Sequence, residues 1–360
     1  MSVSYPTKRI QRPSEVLRAV PDVLARKLPP GWRADWSVGE RIGLAIADAL
    51  LTIEAPDGQR AALVVEAKVR LEPRELEAAI AQARLLSVDL SDDPALRASP
   101  LIAARFLSGR VRAQLIEREV SYIDTTGNLR LVVGRPGLFI EASGADRDPL
   151  PADRRLRSLK GTAAARVVRS LFDATLPLQV SELAARAGVS TAQSSRVADL
   201  LDREAVLQRD PRGSVIAVDR TKLIERWAED YSFLDANATG LYLEPRTLEK
   251  LLDRLPSSGL RYAVSGSLAA RLLAEYADAK LALIYVDDID RAAQALGLTR
   301  VEERGNVLLA EPYDEIVFDG LWQRDGVNYV APAQLAVDLL TSPGRGPAEG
   351  EELLRVLDAR

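Results

Sequence analysis

The first 150 residues alternate between stretches with helical spacing of apolar residues and stretches typical of strands. Apolar positions recur every three to four residues over 14–28, which predicts a helix that ends at Pro29–Gly31. The stretches 42–54 and 60–69 predict two strands joined by a turn at Pro56–Gly58. Further predicted elements are a helix at 72–87, a strand at 101–107, a helix at 110–119, and strands at 120–124 and 129–133. This mixture indicates α/β layering.

The rest of the chain predicts two further modules. The middle module contains helices at 161–174, 180–187 and 191–204, and then two short strands within 206–218. The last module mixes strands at 262–264, 281–286, 307–309 and 316–318 with helices at 246–255, 268–275, 333–340 and 349–358. A Gly-, Pro- and charge-rich stretch at 144–157 indicates a domain edge. We therefore predict an α/β multidomain protein with domains at 1–148, 155–233 and 240–360.

Composition limits the chemistry that this chain can perform. Among its 360 residues there is no cysteine and no histidine, which excludes thiolate nucleophiles, Ser-His-Asp chemistry and imidazole ligands for metals. Catalysis would depend on carboxylates, lysine, arginine, hydroxyls or a cation held by oxygen atoms. No apolar run has the length of a membrane span and no signal peptide opens the chain, so we expect a cytoplasmic protein without a membrane partner.

Charge is distributed unevenly along the chain. The net charge is −4 overall, but it is +6 over residues 154–222 and −8 over residues 234–360. A basic middle module and an acidic last module indicate different partners for the two. The basic module is the expected place for contact with nucleic acid.

The first module predicts a cluster of two carboxylates and a lysine. If the two strands turn at Asp57, facing residues have numbers that sum to about 114, so Asp48 faces Glu66 and Lys68 shares the face of Glu66. The opposite face of this hairpin is apolar. Paired carboxylates at this range repel each other unless a cation lies between them, and Mg²⁺ is often held by one or two carboxylates with water and phosphate. A nearby lysine can orient or deprotonate an attacking water.

The order Asp48…Glu66-Ala67-Lys68 resembles the signature of PD-(D/E)xK nucleases. The flanking predicted elements, including the helix with Gln82, match the order of that restriction-endonuclease-like α/β/α fold over residues 10–142. The resemblance implies Asp48 and Glu66 as ligands of Mg²⁺ or Mn²⁺, and Lys68 and Gln82 as catalytic residues. Ala47 departs from the family pattern, which has proline before the aspartate. An inactive site on the same fold, or a solvated hairpin with a Glu–Lys pair, stays open.

The middle module resembles winged helix-turn-helix DNA-binding domains over residues 180–218. Ser190 is expected to cap the second helix of the motif, and the hairpin after that helix fits a wing. The resemblance implies contact with double-stranded DNA by polar and basic side chains. The expected contact residues are Ser190, Thr191, Gln193, Ser194 and Arg196 on the helix, Arg209 and Arg212 on the wing, and Arg154, Arg155 and Arg157 before the module. A winged helix used for protein contact, or a plain helical bundle, is the alternative.

The last module, over residues 240–358, resembles the C-terminal domain of AbiEi-type type IV antitoxins and transcriptional regulators. The motif Val264–Ser267 before a helix, and the aspartates after the strand 281–286, are similar to a degenerate nucleotidyltransferase-like α+β core. The resemblance implies autoregulation by DNA binding and a nucleotidyltransferase-like toxin as partner, without nucleotidyl transfer. Three functions stay open: a DNA-binding regulator, a Mg²⁺-dependent DNA endonuclease that the winged helix targets, and a protein-interaction scaffold.

Overall fold

The computed structural model describes residues 10–42, 45–90, 98–150, 156–274 and 279–359. The chain folds as two compact units, Met1–Arg154 and Arg155–Arg360, and each is described by itself. Both units combine helices with a mixed sheet, so the predicted mixed α/β class is confirmed. No helix within the described ranges is both long and apolar enough to cross a membrane.

The first unit contains a seven-stranded sheet with helices on both faces. Its elements are α1 (Pro13–Ala25), β1 (Arg33–Val38), β2 (Arg41–Ile42), β3 (Ala45–Ile46), β4 (Ala49–Glu54), β5 (Arg60–Lys68), α2 (Pro73–Leu90), β6 (Ala98–Ala104), α3 (Gly109–Glu117), β7 (Ser121–Asp124), β8 (Leu129–Val133) and β9 (Leu138–Ala142). The strand order is β1-β4-β5-β6-β7-β8-β9, while β2 and β3 form a separate small hairpin. The pairs β5–β6 and β6–β7 are parallel and the other pairs of the large sheet are antiparallel.

Strand β6 shows how the sheet is buried on both faces. Its residues Leu101 and Ala103 join the core against α1, whereas Ile102 and Ala104 join the core against α2 and α3. A strand whose successive side chains are all apolar is expected at the centre of a sheet covered on both sides. The first unit is therefore a three-layer α/β/α arrangement, with β5 and β6 inside.

The predicted hairpin register is confirmed. Strands β4 and β5 pair antiparallel, from Ala49 opposite Val65 to Glu54 opposite Arg60. The single strand expected over 42–54 is wrong, since β3 ends at Ile46 and Asp48 lies in a bend before β4 begins. The bend is fixed by the Gly39 amide, which donates to the Asp48 carbonyl at 3.0 Å. Strands β1 and β9 were not predicted.

The second unit begins with three helices and a hairpin and continues into a second seven-stranded sheet. Its elements are α4 (Thr162–Phe172), α5 (Val180–Ala187), α6 (Thr191–Arg203), β10 (Leu207–Arg209), β11 (Val215–Val218), α7 (Arg220–Ala228), α8 (Phe233–Ala236), β12 (Ala238–Leu243), α9 (Leu248–Arg254), β13 (Tyr262–Ser265), α10 (Ser267–Ala270), β14 (Ala282–Val286), α11 (Ile289–Leu296), β15 (Thr299–Arg300), β16 (Val307–Glu311), a 3-10 helix (Glu315–Phe318), β17 (Trp322–Arg324), β18 (Val327–Tyr329), α12 (Pro332–Leu340) and α13 (Gly346–Asp358). The sheet order is β15-β12-β16-β14-β13-β18-β17.

One hydrophobic core runs through the whole second unit. Leu183 of α5, Trp227 of α7 and Leu335 of α12 belong to the same buried cluster. The residues predicted as the second and third domains thus share their core. The strand predicted over 316–318 is wrong, because the Asp314 side chain accepts a hydrogen bond from the Ile316 amide at 2.8 Å and begins a 3-10 turn there.

A buried aspartate connects the sheet of the second unit with its helices. Asp338 on α12 is fully buried, and its two oxygens accept four side-chain hydrogen bonds. The donors are Tyr231 and Tyr285 at 3.0 Å each, Gln334 at 2.8 Å and Ser265 at 2.6 Å. Burial raises the pKa of Asp338 to about 6, against the hydrogen bonds, which lower it. The charged form is satisfied in hydrogen bonding but remains costly to bury.

The raised pKa of Asp338 predicts that the stability of the second unit depends on pH. Because the folded-state pKa lies above the ordinary value, the stabilising contribution is fully present at low pH and is lost as pH rises through about 6. Relative to Asp338→Asn, the free energy of unfolding of the wild type should fall by about 2 kcal/mol between about pH 4.5 and about pH 7. Urea unfolding of both proteins, followed by Trp fluorescence, measures this difference. A constant difference across the range would contradict the expectation.

Candidate active site and nucleic-acid interface

The predicted carboxylate–lysine cluster is assembled at the end of β5. Glu66 and Lys68 lie on β5, and the Lys68 ammonium is 2.6 Å from Glu66 Oε1. Asp48 lies just before β4, where its Oδ2 accepts a hydrogen bond from the Ala67 amide at 2.8 Å. This bond joins Asp48 to the residue between Glu66 and Lys68. The structure therefore brings together three of the four residues proposed for this site.

The electrostatics of the cluster are dominated by burial. Glu66 is only 2% exposed, and burial raises its pKa. The hydrogen bond from Lys68 lowers the pKa, while the negative charge of Asp48 raises it further. The Lys68 side chain is 38% exposed, so its ammonium meets both the buried carboxylate and the solvent. A buried acid beside a second acid and an exposed cation is the type of perturbed cluster found at functional sites.

The donor set fits a hard cation that takes further ligands from water or phosphate. Asp48 Oδ1 and Glu66 Oε2 accept no hydrogen bond within the described ranges, so each carboxylate keeps one oxygen for a ligand. Across those ranges there is no group of three or more acidic residues, histidines or cysteines arranged to hold a metal by themselves. Mg²⁺ is commonly held by one or two carboxylates with waters and substrate phosphates, which is the arrangement that this pair allows.

Gln82 is not brought to this cluster by any contact in the structure. It lies on α2 with an exposed side chain, whereas the buried face of that helix carries Leu76, Ala79, Ile80 and Ala83. No hydrogen bond joins Gln82 to Asp48, Glu66 or Lys68 within the described residues. Its proposed catalytic role stays a prediction.

In the second unit, α4 to α6 and the β10–β11 hairpin form what we call the helix–hairpin module (residues 162–218). Helix α5 is capped by Gly188, whose left-handed φ of +62° allows the chain to reverse direction. Helix α6 is capped by Ser190, whose Oγ accepts from the Gln193 amide at 3.2 Å, and Gln193 Oε1 accepts from the Ser190 amide at 3.1 Å. The predicted cap is confirmed, and its reciprocal bonds also occupy the Gln193 side chain.

The exposed face of α6 differs from the sequence prediction at one residue. Thr191, Gln193 and Arg196 are exposed. The prediction that Ser194 contacts DNA is wrong, because the residue is 0% exposed and its Oγ donates to the Val180 carbonyl at 3.3 Å. It therefore helps to pack α6 on α5. The small size of Ser194 suits this crossing. Its hydroxyl group was the reason for predicting an exposed contact residue.

The two arginines of the hairpin are placed differently. Arg209 is only 22% exposed and pairs with Asp199 at 2.8 Å and Asp202 at 3.4 Å, both on α6. Arg212 lies in the exposed turn, where its amide donates to Asp210 Oδ1 at 2.9 Å. The Arg212 guanidinium is therefore more accessible to a ligand than that of Arg209, which is held in ion pairs. Arg157 is exposed before the module, whereas Arg154 and Arg155 lie outside the described residues.

The acidic residues of the sheet region have structural partners. Asp288 caps α11 by accepting from the Arg291 amide at 2.8 Å. Asp314 forms an ion pair with Arg166 of α4 at 2.5 Å. Asp288 therefore serves as a helix cap and Asp314 as an ion-pair partner.

The comparisons with known proteins add little to this geometry. No family model matches the chain. No curated protein matches it either. Among solved structures, a repair endonuclease from Pyrococcus abyssi is similar, with 14% sequence identity and a TM-score of 0.22 over 33% of this chain and 49% of that chain. The match spans about half of that protein, and a likeness at this TM-score assigns neither fold nor activity.

The contact between Lys68 and Glu66 predicts a second pH effect, in the first unit. Lys68→Met removes the hydrogen bond that lowers the pKa of Glu66, so that pKa should rise further above its ordinary value. Between about pH 4.5 and about pH 7, the free energy of unfolding of the variant should then fall by more than that of the wild type. The extra fall should be only on the order of 1 kcal/mol, because solvent screens the exposed lysine. Urea unfolding at both pH values measures the effect. Lys68→Arg, which keeps the charge, is the control. An equal pH dependence of stability in all three proteins would refute the expected effect of Lys68.

Proposed function

We propose that this chain binds duplex DNA through the helix–hairpin module. The observation that carries the proposal is the exposed face of α6, where the side chains of Thr191 and Arg196 are exposed. Behind this face the helix is anchored by Val197, Leu200 and Leu201 in the core of the unit. A rigid helix that presents short polar and arginine side chains is suited to the major groove.

The exposed charges of the module support contact with phosphates on either side of that helix. Arg186 on α5, Arg196 on α6 and Arg212 in the hairpin turn are exposed, and no ion pair neutralises them within the described residues. Arg209 contributes differently, because Asp199 and Asp202 already neutralise it and hold the hairpin against α6. We therefore assign Arg209 to positioning the hairpin, and Arg196 and Arg212 to contact with DNA.

Fluorescence anisotropy with a short labelled duplex tests the proposal. Arg196→Ala should weaken binding by about tenfold or more if the residue contacts a base, since such a contact is worth about 1–3 kcal/mol. Arg212→Ala should weaken binding to different duplexes similarly and reduce the salt dependence by about one unit of slope. Lys250→Ala on α9 is the matched control, because it removes one exposed cation outside the module. Unchanged affinity in the Arg196→Ala, Arg212→Ala double variant would exclude this interface.

A second candidate function is metal-dependent cleavage of DNA by the first unit, and the Asp48–Glu66–Lys68 cluster favours it. Asp48 Oδ1 and Glu66 Oε2 would hold Mg²⁺ or Mn²⁺, which when bound supplies stabilisation of negative charge on a phosphate. Lys68 has its ammonium held at 2.6 Å by Glu66 and reaches solvent, so it can orient an attacking water or neutralise the phosphate. The Ala67 amide keeps the Asp48 carboxylate in position.

Incubation of supercoiled plasmid with the full chain and Mn²⁺ tests this second function. The wild type should nick or linearise the plasmid, and Asp48→Asn should reduce the rate by about a hundredfold or more, as expected for loss of a metal ligand. Asp57→Asn, in the exposed turn of the same hairpin, is the matched control because it removes a carboxylate with no link to Glu66. Cleavage that persists at the wild-type rate in Asp48→Asn, or no cleavage at high protein concentration, argues against a nuclease.

A finer part of the first proposal concerns the kind of regulator. The order of a helix–hairpin module followed by an acidic sheet region, together with the sequence resemblance, supports an antitoxin-type transcriptional regulator with a nucleotidyltransferase-like toxin as partner. Binding of the chain to its own upstream DNA, measured against a scrambled duplex of equal length, tests the autoregulatory part. Equal affinity for the two duplexes would leave only non-specific binding.

A further inference from the structure

The second unit contains a small cavity that none of the functions above uses. Its volume is about 250 Å³, and it lies among β14, β16, α12, the start of α13 and the segment around Gly266. Its apolar wall includes Phe233, Leu283, Leu308 and Leu339. Small-molecule pockets usually have volumes of about 300–1,000 Å³, so this cavity has room for roughly one ring system.

One charged residue is buried in the wall of this cavity without a partner. Glu349 on α13 is 5% exposed, and its Oε2 is fully buried with no hydrogen bond among the described residues. A buried polar atom left without a partner destabilises a protein by about 1–3 kcal/mol, so a buried glutamate with such an atom requires a physical reason. A ligand that donates hydrogen bonds to this carboxyl group would supply the missing partner.

The position of Glu349 is fixed by close packing of two helices. A Cβ atom at Gly346 would lie 2.6 Å from the Leu339 carbonyl oxygen, so only glycine allows the start of α13 to lie so near the end of α12. Glu349 follows within the first turn of α13, and its amide donates to the Arg345 carbonyl at 3.1 Å. The backbone of Glu349 is thus held at the cavity wall, where the residue is 5% exposed.

The rim of the cavity has the opposite charge to its interior. Lys280 and Arg345 both line the cavity and are exposed, and neither forms an ion pair in the described part of the chain. Ser267 adds a hydroxyl beside Gly266. The cavity therefore presents a hydrogen-bond acceptor inside, apolar walls around it and two cations at its opening.

We propose that this cavity binds a small planar ligand that donates two hydrogen bonds from an N–C–N edge to Glu349 and places an anionic group between Lys280 and Arg345. Two sources share this chemistry: a guanine nucleotide, through its N1 and N2 donors, and a guanidinium compound with a carboxylate such as arginine. An adenine nucleotide offers one donor and one acceptor on the corresponding edge and does not satisfy the site.

Isothermal titration of the full chain with GMP, AMP and L-arginine tests the proposal. Either GMP or arginine should bind, and which of the two binds more tightly identifies the source. AMP should bind about tenfold or more weakly than GMP if the base is the donor, because an unpaired buried acceptor is costly. No binding of GMP or arginine, or equal binding of GMP and AMP with none of arginine, would overturn the assignment.

Variants on α13 separate a ligand site from a structural role. Glu349→Gln should weaken binding by about tenfold or more while the melting temperature without ligand stays equal or rises, because the unpartnered acid is removed. Glu351→Gln makes the same change at an exposed position of the same helix and should leave both measurements unchanged. If Glu349→Gln does not fold, Arg345→Ala at the exposed rim provides the test, with about tenfold weaker binding expected. Binding unaffected by these variants, or a lower melting temperature with unchanged affinity, would refute the proposed site.

Discussion

The register of the β4–β5 hairpin is the constraint on which the chemistry of the first unit depends. A shift of one residue would turn Glu66 and Lys68 toward the apolar core against α1 and would bring Val65 and Ala67 to the other face. Burial of Leu51, Ile53 and Leu63 on the α1 side makes such a shift very unfavourable. The polar cluster is therefore placed by the apolar residues beneath it, and the Ala67 amide then fixes Asp48 beside Glu66.

The parts predicted correctly from the sequence depend on local patterns. The alternation along β4 and the turn at Asp57 determine the hairpin register, and the spacing around Gly188 defines α5 and α6 within a residue or two. Strand β12 was missed because its partners β15 and β16 are distant in the sequence. Strands β1 and β9 are the edge strands of their sheet, and their partly exposed residues give little apolar signal. The 3-10 helix at Glu315–Phe318 was predicted as a strand because its apolar run is too short to distinguish the two by periodicity.

The candidate interface could be predicted only in part, because burial and ion pairing are decided by tertiary contacts. Ser194 is a small polar residue of the type that contacts DNA, yet its burial in the α5–α6 crossing could not be determined from helical spacing alone. Arg209 was expected to contact DNA, but Asp199 and Asp202, one helical turn apart on α6, both pair with it. The acidic residues of α6 thus support the hairpin, and the net charge of the module overstates the positive surface that is free to meet phosphate.

Two buried carboxyl groups of the second unit show how the fold separates structural from ligand-binding charge. Asp338 receives four donors from Tyr231, Tyr285, Gln334 and Ser265, so its polar atoms are fully used inside the protein. Glu349 lies in the same unit at similar depth, yet one oxygen has no donor and the residue borders a cavity. If the only role of Glu349 were structural, we would expect the fold to supply its carboxyl group with donors, as it does for Asp338. The contrast is the physical reason for assigning Asp338 to the core and Glu349 to a ligand.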